Sequence, residues 1–418
     1  MTTGIEYDDF LDLEYEPRDD DLVCEFTIDP AEGMSMEAAA SRVASESSNG
    51  TWAALSVDED ELTDLGATAY MISNDDRISV AYPAALFETG SMAQILSCIA
   101  GNIMGMKAVD SIRLEDCYWP ETIVDGFPGP QFGTSVATEK LDAGDRPVLA
   151  TVPKPKVGLS TDAHVQIAED AWRGGVDLLK DDENLTDQPF NPFEERVERS
   201  LAKAEELTKE TGEQKDYLVN VTAETEEMIR RAEFVHEHGG GFVMVDVVTC
   251  GWSAVQTLRE HCEDMDLAIH AHRAMHAAFD RMDHHGVSMR VIAQVARLCG
   301  VDHIHTGTAG LGKLANEDTP GINAWLKSDL YDCRDVLPVA SGGLHPGVTD
   351  ALIDALGTDI AIQAGGGIHG HPHGTEAGAR ALRQSVEATM QGVPLAEYAE
   401  DHAELATALE KWGAETPR

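Results

Sequence analysis

Short apolar runs recur at regular intervals through the second two-thirds of the chain: Val148–Val152, Val176–Leu179, Tyr217–Val221, Phe242–Val248, Leu267–His270, His303–His305, Leu337–Ala340 and Ile360–Gln363. Segments with helical periodicity separate them. Short, uninterrupted apolar runs read as strands buried on both faces, the pattern of a parallel sheet covered by helices. Eight strand and helix units over residues 129–418 fit a closed (β/α)8 barrel. A doubly wound open sheet is the competing architecture, but no Gly-x-Gly-x-x-Gly turn follows the first run. Residues 1–128 lack this alternation and predict a smaller α+β domain. Its elements are strands over Asp21–Ile28, Thr51–Val57 and Val109–Cys117, helices over Ser35–Ser45 and Met92–Met104, and a strand pair within Thr68–Tyr82 turning at Asn74-Asp75-Asp76. The breaker-rich Gly126-Phe127-Pro128-Gly129-Pro130 places the domain boundary at 128/129.

The barrel pattern directs attention to the strand ends, because active sites in that fold sit where strands lead into loops. The second run ends in Lys180-Asp181-Asp182-Glu183. A strand's period of two sends Lys180 and Asp182 one way and Asp181 the other, and Glu183 joins the first pair only if the chain bends. Two carboxylates suit a hard cation such as Mg²⁺, yet a lysine ammonium beside them would repel it. Either Lys180 is the acids' ion-pair partner, or it is converted into an oxygen ligand.

Other ends are equally polar. Lys154-Pro155-Lys156 crowds two amines, and crowding and desolvation both disfavour protonation. Ser341-Gly342-Gly343 and Gly365-Gly366-Gly367 follow the seventh and eighth runs, where backbone N–H groups commonly hold phosphate; tight turns are the plainer reading of either alone. Arg273, His305 and Lys313 offer donors for a second anion, and Thr306–Lys313 reads as a glycine-rich lid. His270-Ala271-His272 is like the His-x-His zinc pair of barrel hydrolases, but those carry the pair on the first strand and the lysine later.

The composition is unusual in its charge. The 418 residues hold 30 Lys+Arg against 75 Asp+Glu, a formal charge of −45. Such a surface repels nucleic acid and anionic membrane, and its self-repulsion calls for salt screening, so a salt-adapted source is expected. Seven scattered cysteines without a C-x-x-C pair, no basic-apolar leader and no long apolar stretch predict a soluble, cytoplasmic protein.

At these motifs the chain resembles the large subunit of ribulose-bisphosphate carboxylase/oxygenase, Rubisco, over nearly its whole length. The resemblance is carried by Lys154–Ser160, Gly174–Asn184, His272–His276, Asp302–Thr308, Val339–Gly343 and Gln363–Gly367, and in the first domain by Glu46–Trp52 and Gly101-Asn102. It implies a carbamate on Lys180, formed from an activating CO₂, that binds Mg²⁺ with Asp182 and Glu183. Lys154 would move protons at the substrate carbons with help from Lys156, His272 would lie near the substrate hydroxyls, and Lys313 would orient the gas. Arg273 and His305 would hold one phosphate of ribulose 1,5-bisphosphate. Gly343, Gly365 and Gly366, beside Gly342, would hold the other with Thr51 and Trp52 of a neighbouring subunit. Ser341 would contact the sugar, and Glu46 and Asn102 would complete the site.

The implied reaction is enediolate carboxylation giving 3-phosphoglycerate, with O₂ competing for CO₂. The implied assembly is a homodimer, or a multimer of dimers, with shared sites. The short termini are similar to the archaeal type (form III), which works without small subunits and is associated with nucleotide ribose salvage. Two features depart from the plant-type pattern: the segment before Lys313 is one residue longer, and Pro153 precedes Lys154. A Rubisco-like enolase and a silent sugar-bisphosphate-binding protein are the alternatives; retention of both lysines, the acids and Lys313 argues against each.

Overall fold

The computed structural model describes residues 10–50, 65–313 and 317–413. The expected strand over 51–57 lies outside the described residues. The chain divides into two compact units, one of residues 1–128, 275–299 and 331–333, the other of 129–274, 300–330 and 334–418. Residues 275–299 and 331–333, in the range that the sequence pattern gives to the barrel domain, thus cluster with the first unit.

In the first unit a mixed five-stranded sheet is organised around Asp21–Pro30, which pairs antiparallel with Arg77–Pro83 on one side and Val109–Tyr118 on the other. Leu22, Cys24, Phe26 and Ile28 are buried at alternate positions of that strand, the period that one covered face demands. Thr68–Ile72 extends one edge and the short Gly286–Val287 the other, the latter parallel. The helix Met36–Glu46 starts at Ser35, whose hydroxyl accepts from the Ala38 amide. The expected helix from Met92 ends at Ile99 and is followed by a separate turn, Asn102–Gly105. Gly101 sits in the break, where an added Cβ would fall 2.0 Å from the Ser97 carbonyl oxygen.

In the second unit eight strands close into a parallel barrel: Val148–Thr151, Leu178–Lys180, Asp216–Asn220, Phe242–Asp246, Ala268–His272, His303–His305, Leu337–Ser341 and Ala361–Gln363. The eighth pairs with the first through Ala361↔Val148 and Gln363↔Ala150. Inward positions at the strands' N-terminal ends, among them Val148, Leu178, Phe242, Ala268 and Ala361, form one apolar cluster with Phe132, Val136 and Leu141. The segment carrying Phe132 is pinned by the buried Asp302, whose Oδ1 accepts from the Phe132 and Gly133 amides at 2.6 and 3.0 Å. That end of the barrel is therefore packed shut, and polar residues collect at the other. Among the described residues no helix is long and apolar enough to cross a membrane.

Candidate active site

The second strand stops at Lys180, and its side chain is fully buried with Nζ donating to the Asp181 carbonyl at 2.7 Å. Burial pulls the amine's pKa below its ordinary value, against the attraction of Glu183, Asp246 and Asp182. The two aspartates that follow part company. Asp181 turns outward into a buried network, pairing with Arg196 at 3.3 Å, accepting from the Asn220 amide at 3.0 Å and taking a short bond from the Tyr217 hydroxyl. Asp182 turns to the Lys154 ammonium at 3.2 Å. The bend that Glu183 needs is a turn closed by Leu185 N–H to the Asp182 carbonyl at 2.9 Å. Glu183 then meets Lys156 at 3.1 Å and lies 3.7 Å from His272 Nε2. Burial alone would raise its pKa; His272, Lys180 and the Lys156 bond outweigh that and bring it to about 2.

The two lysines of the first strand end thus each take one carboxylate of the second. Their pKa values diverge: burial lowers Lys154, whereas the hydrogen bond to Glu183 raises Lys156. Mutual crowding is the smaller influence, because each amine has its own acid. Gly365, at the end of the eighth strand, leaves room for Lys154, since a Cβ there would sit 3.0 Å from Lys154 Cε.

His272 is held by Asp246, Nδ1 to Oδ1 at 2.6 Å, and burial lowers its pKa. Below it lies a run of buried imidazoles: His270 Nδ1 is 3.3 Å from His303 Nδ1, and His270 Nε2 is 2.8 Å from His305 Nε2. His305 Nδ1 continues to Ser341 Oγ at 2.6 Å. Burial drives His303 down to about 3 and His270 and His305 well below the ordinary range, so these rings are neutral near pH 7. Arg273 is engaged elsewhere, on Glu317 at 2.8 Å, so the two groups expected to share one phosphate have different partners here.

The glycine turn after the seventh strand carries the loop from the sixth. Gly342 and Gly343 have φ of 107° and 92°, a conformation that favours glycine. Lys313 N–H donates to the Gly342 carbonyl at 2.9 Å, and a Cβ on Gly343 would fall 3.3 Å from Lys313 Cβ. Lys313 itself is exposed. Gly366 has open space around its Cβ direction. In the first unit Asn102 Nδ2 donates to Glu46 Oε1 at 3.4 Å across 56 residues of chain. Thr51 and Trp52 lie outside the described residues.

Three neighbours escaped the sequence reading. Asp246 was legible in principle, as the third inward position of Phe242-Val243-Met244-Val245-Asp246. Asn220, buried at the third strand's end, braces the acidic turn by donating to the Leu185 carbonyl at 3.0 Å. Glu317 carries no local signal, because only the fold brings it to Arg273.

Comparison with known proteins gives a consistent result. Residues 133–412 match the family model for the ribulose bisphosphate carboxylase large chain, catalytic domain, and residues 9–123 the corresponding N-terminal domain. The ribulose bisphosphate carboxylase of Pyrococcus furiosus is 49% identical over 417 residues, covering 99% of both chains, and that of Archaeoglobus fulgidus is 45% identical, covering 98% of both. Among solved structures, the octameric Rubisco of Pyrococcus horikoshii OT3 superposes with a TM-score of 0.94 at 47% identity, covering 97% of each chain. The dimeric archaeal Rubisco of Hyperthermus butylicus gives 0.91 at 45%, covering 98% of this chain and 99% of that one.

Proposed function

The chain belongs to the ribulose bisphosphate carboxylase large-chain family, and from that premise we propose the residue roles, cofactor and partners of the enzyme. It is a ribulose-bisphosphate carboxylase. The observation that carries the finer reading is the convergence of Lys154, Lys156, Lys180, Asp182, Glu183 and His272 at three strand ends.

The donor set fits Mg²⁺ once Lys180 is carbamylated. A buried amine with a lowered pKa is the form whose nitrogen can add to CO₂, releasing a proton and leaving an anionic oxygen donor beside two carboxylates. Lys180, Asp182 and Glu183 would then hold the ion, which supplies charge stabilisation at adjacent substrate oxygens. The protein's own groups do the rest. Lys154, deprotonation of which burial favours, takes and returns the carbon proton, with Lys156 holding Glu183 in place. His272, fixed by Asp246, hydrogen-bonds the substrate hydroxyls, and Ser341 contacts the sugar. Arg273, released from Glu317, binds one phosphate with His305. Gly342, Gly343, Gly365 and Gly366 present backbone to the other, with Thr51 and Trp52 of a second copy, and Lys313 orients the gas. Glu46 and Asn102 complete the site.

The same reading takes O₂ as a competing electrophile, a homodimer or multimer of dimers without a small subunit, a division at 128/129 between the two domains, and a place in nucleotide ribose salvage. The formal charge of −45 supports a salt-adapted cytoplasm. Incubation in high salt with Mg²⁺, labelled CO₂ and ribulose 1,5-bisphosphate should yield labelled 3-phosphoglycerate. An isomerised sugar phosphate without label, from folded protein, would favour the enolase alternative.

A further inference from the structure

The last described helix, Ala403–Trp412, reaches the far side of both glycine turns. Its start is anchored on the helix Thr375–Met390, where Gln384 accepts from the Leu405 amide and donates to Glu404, both at 3.0 Å. Its end meets the residues just beyond each turn. The Trp412 indole stacks on His345, four residues after Ser341, with ring centroids 5.7 Å apart at 25°, and lies 6.5 Å from the His371 ring, six residues after Gly365. Lys411 Nζ makes a short bond to the Gly370 carbonyl.

Space around the indole is tightly defined. A Cβ on Gly370 would fall 3.5 Å from Trp412 Cζ2, and one on Gly347 only 1.8 Å from the Gly413 carbonyl oxygen. The turns also touch each other: a Cβ on Gly367 would lie 2.1 Å from the Leu344 oxygen and 2.7 Å from His345 Cα. Both imidazoles have fixed orientations, because His345 Nδ1 accepts from the Gly347 amide at 3.2 Å and His371 Nδ1 from the His373 amide at 3.1 Å. One ring therefore abuts the segments leaving both turns.

We propose that Trp412 is a positioning residue that, through His345 and His371, sets the spacing of the Ser341–Gly343 and Gly365–Gly366 backbones and thereby the affinity for the substrate's phosphate. The inference rests on the reading that these turns hold that phosphate. It touches no reacting atom. The interaction it removes is made equally in the ground and transition states, so it belongs in KM rather than kcat.

The test measures KM for ribulose bisphosphate and kcat for the full-length, Mg²⁺- and CO₂-activated enzyme and its Trp412→Leu, Trp412→Phe and Gly366→Ala variants. Leucine keeps apolar volume and loses stacking; phenylalanine keeps a ring. Trp412→Leu should raise KM about two- to tenfold, the worth of one aromatic contact, with kcat nearly unchanged, and Trp412→Phe should restore most of the loss. Gly366→Ala is sterically tolerated and should raise KM by placing a methyl group at the turn. If Gly366→Ala raises KM while Trp412→Leu does not, or while the two Trp412 variants behave alike, the positioning role is overturned and the phosphate reading stands. If neither Gly366→Ala nor Trp412→Leu moves KM, both are overturned.

Discussion

Leu178, Phe242 and Ala268 face the barrel interior at the strands' N-terminal ends, and two or four residues further along the same strands the same inward parity brings Lys180, Asp246 and His272. The first set is apolar and packs against Phe132. The second is ionisable: Lys180 and Asp246 are buried and His272 is partly so, and burial lowers the pKa of Lys180 and of His272. One end stabilises the barrel through area removed from water, while the other costs stability and gains reactive groups. Asp181 sharpens the contrast. It is as buried as Lys180, but it points out of the barrel and is neutralised by Arg196, so its charge serves the fold.

Substitutions at the two ends should therefore fail in opposite ways. The largest effect is expected for Lys180→Ala: carboxylation should drop on the order of 10³-fold or more, with a melting temperature no lower than the parent's, since a desolvated amine is removed. Asp182→Asn should behave likewise. Arg196→Met reverses the pattern by leaving Asp181 buried without its cation; urea unfolding should show a loss of about 3–5 kcal/mol. Leu178→Ala, one strand position pair below Lys180, should cost about 2–5 kcal/mol in the same measurement, with kcat of the folded enzyme nearly unchanged. A catalytic defect there that exceeds the stability defect would break the division between the ends.

The smallest effect concerns Asp216, half-buried at the start of the third strand, whose pKa is raised by desolvation to about 6 despite the Tyr217 and Gly241 amides. Its folded value lies above the unfolded one, so the folded state binds the proton more tightly and this contribution is lost as pH rises through 6. Relative to Asp216→Asn, the parent should gain about 2 kcal/mol as pH falls from about 7 to about 4. A difference between the two that does not vary with pH would show that Asp216 is not displaced from ordinary carboxylate behaviour.

The barrel was legible because every one of its strands is buried on both faces, and such strands appear in sequence as short apolar runs ending abruptly in polar groups. Parity alone separated Asp181 from Asp182, and the structure turns them apart. What local pattern could not supply was partnership at a distance. Crowding suggested that Lys154 and Lys156 would lower one another, but each meets its own carboxylate, and only Lys154 is buried enough to fall. Arg273 reads as a free anion donor, yet Glu317, 44 residues on, occupies it. The clustering of residues 275–299 with the first unit was hidden for the same reason: Gly286–Val287 joins that sheet in parallel register with Arg113 and Leu114, a pairing without any signature in the segment itself.

Lys180 is proposed to carry a carbamate flanked by the carboxylates of Asp182 and Glu183. Incubation of the folded protein with ¹³CO₂ and Mg²⁺, followed by buffer exchange and carbon NMR, tests it directly. A retained carbamate resonance that is missing from Lys180→Ala is expected; the same resonance in that variant, or none in the parent, would overturn the carbamate at Lys180.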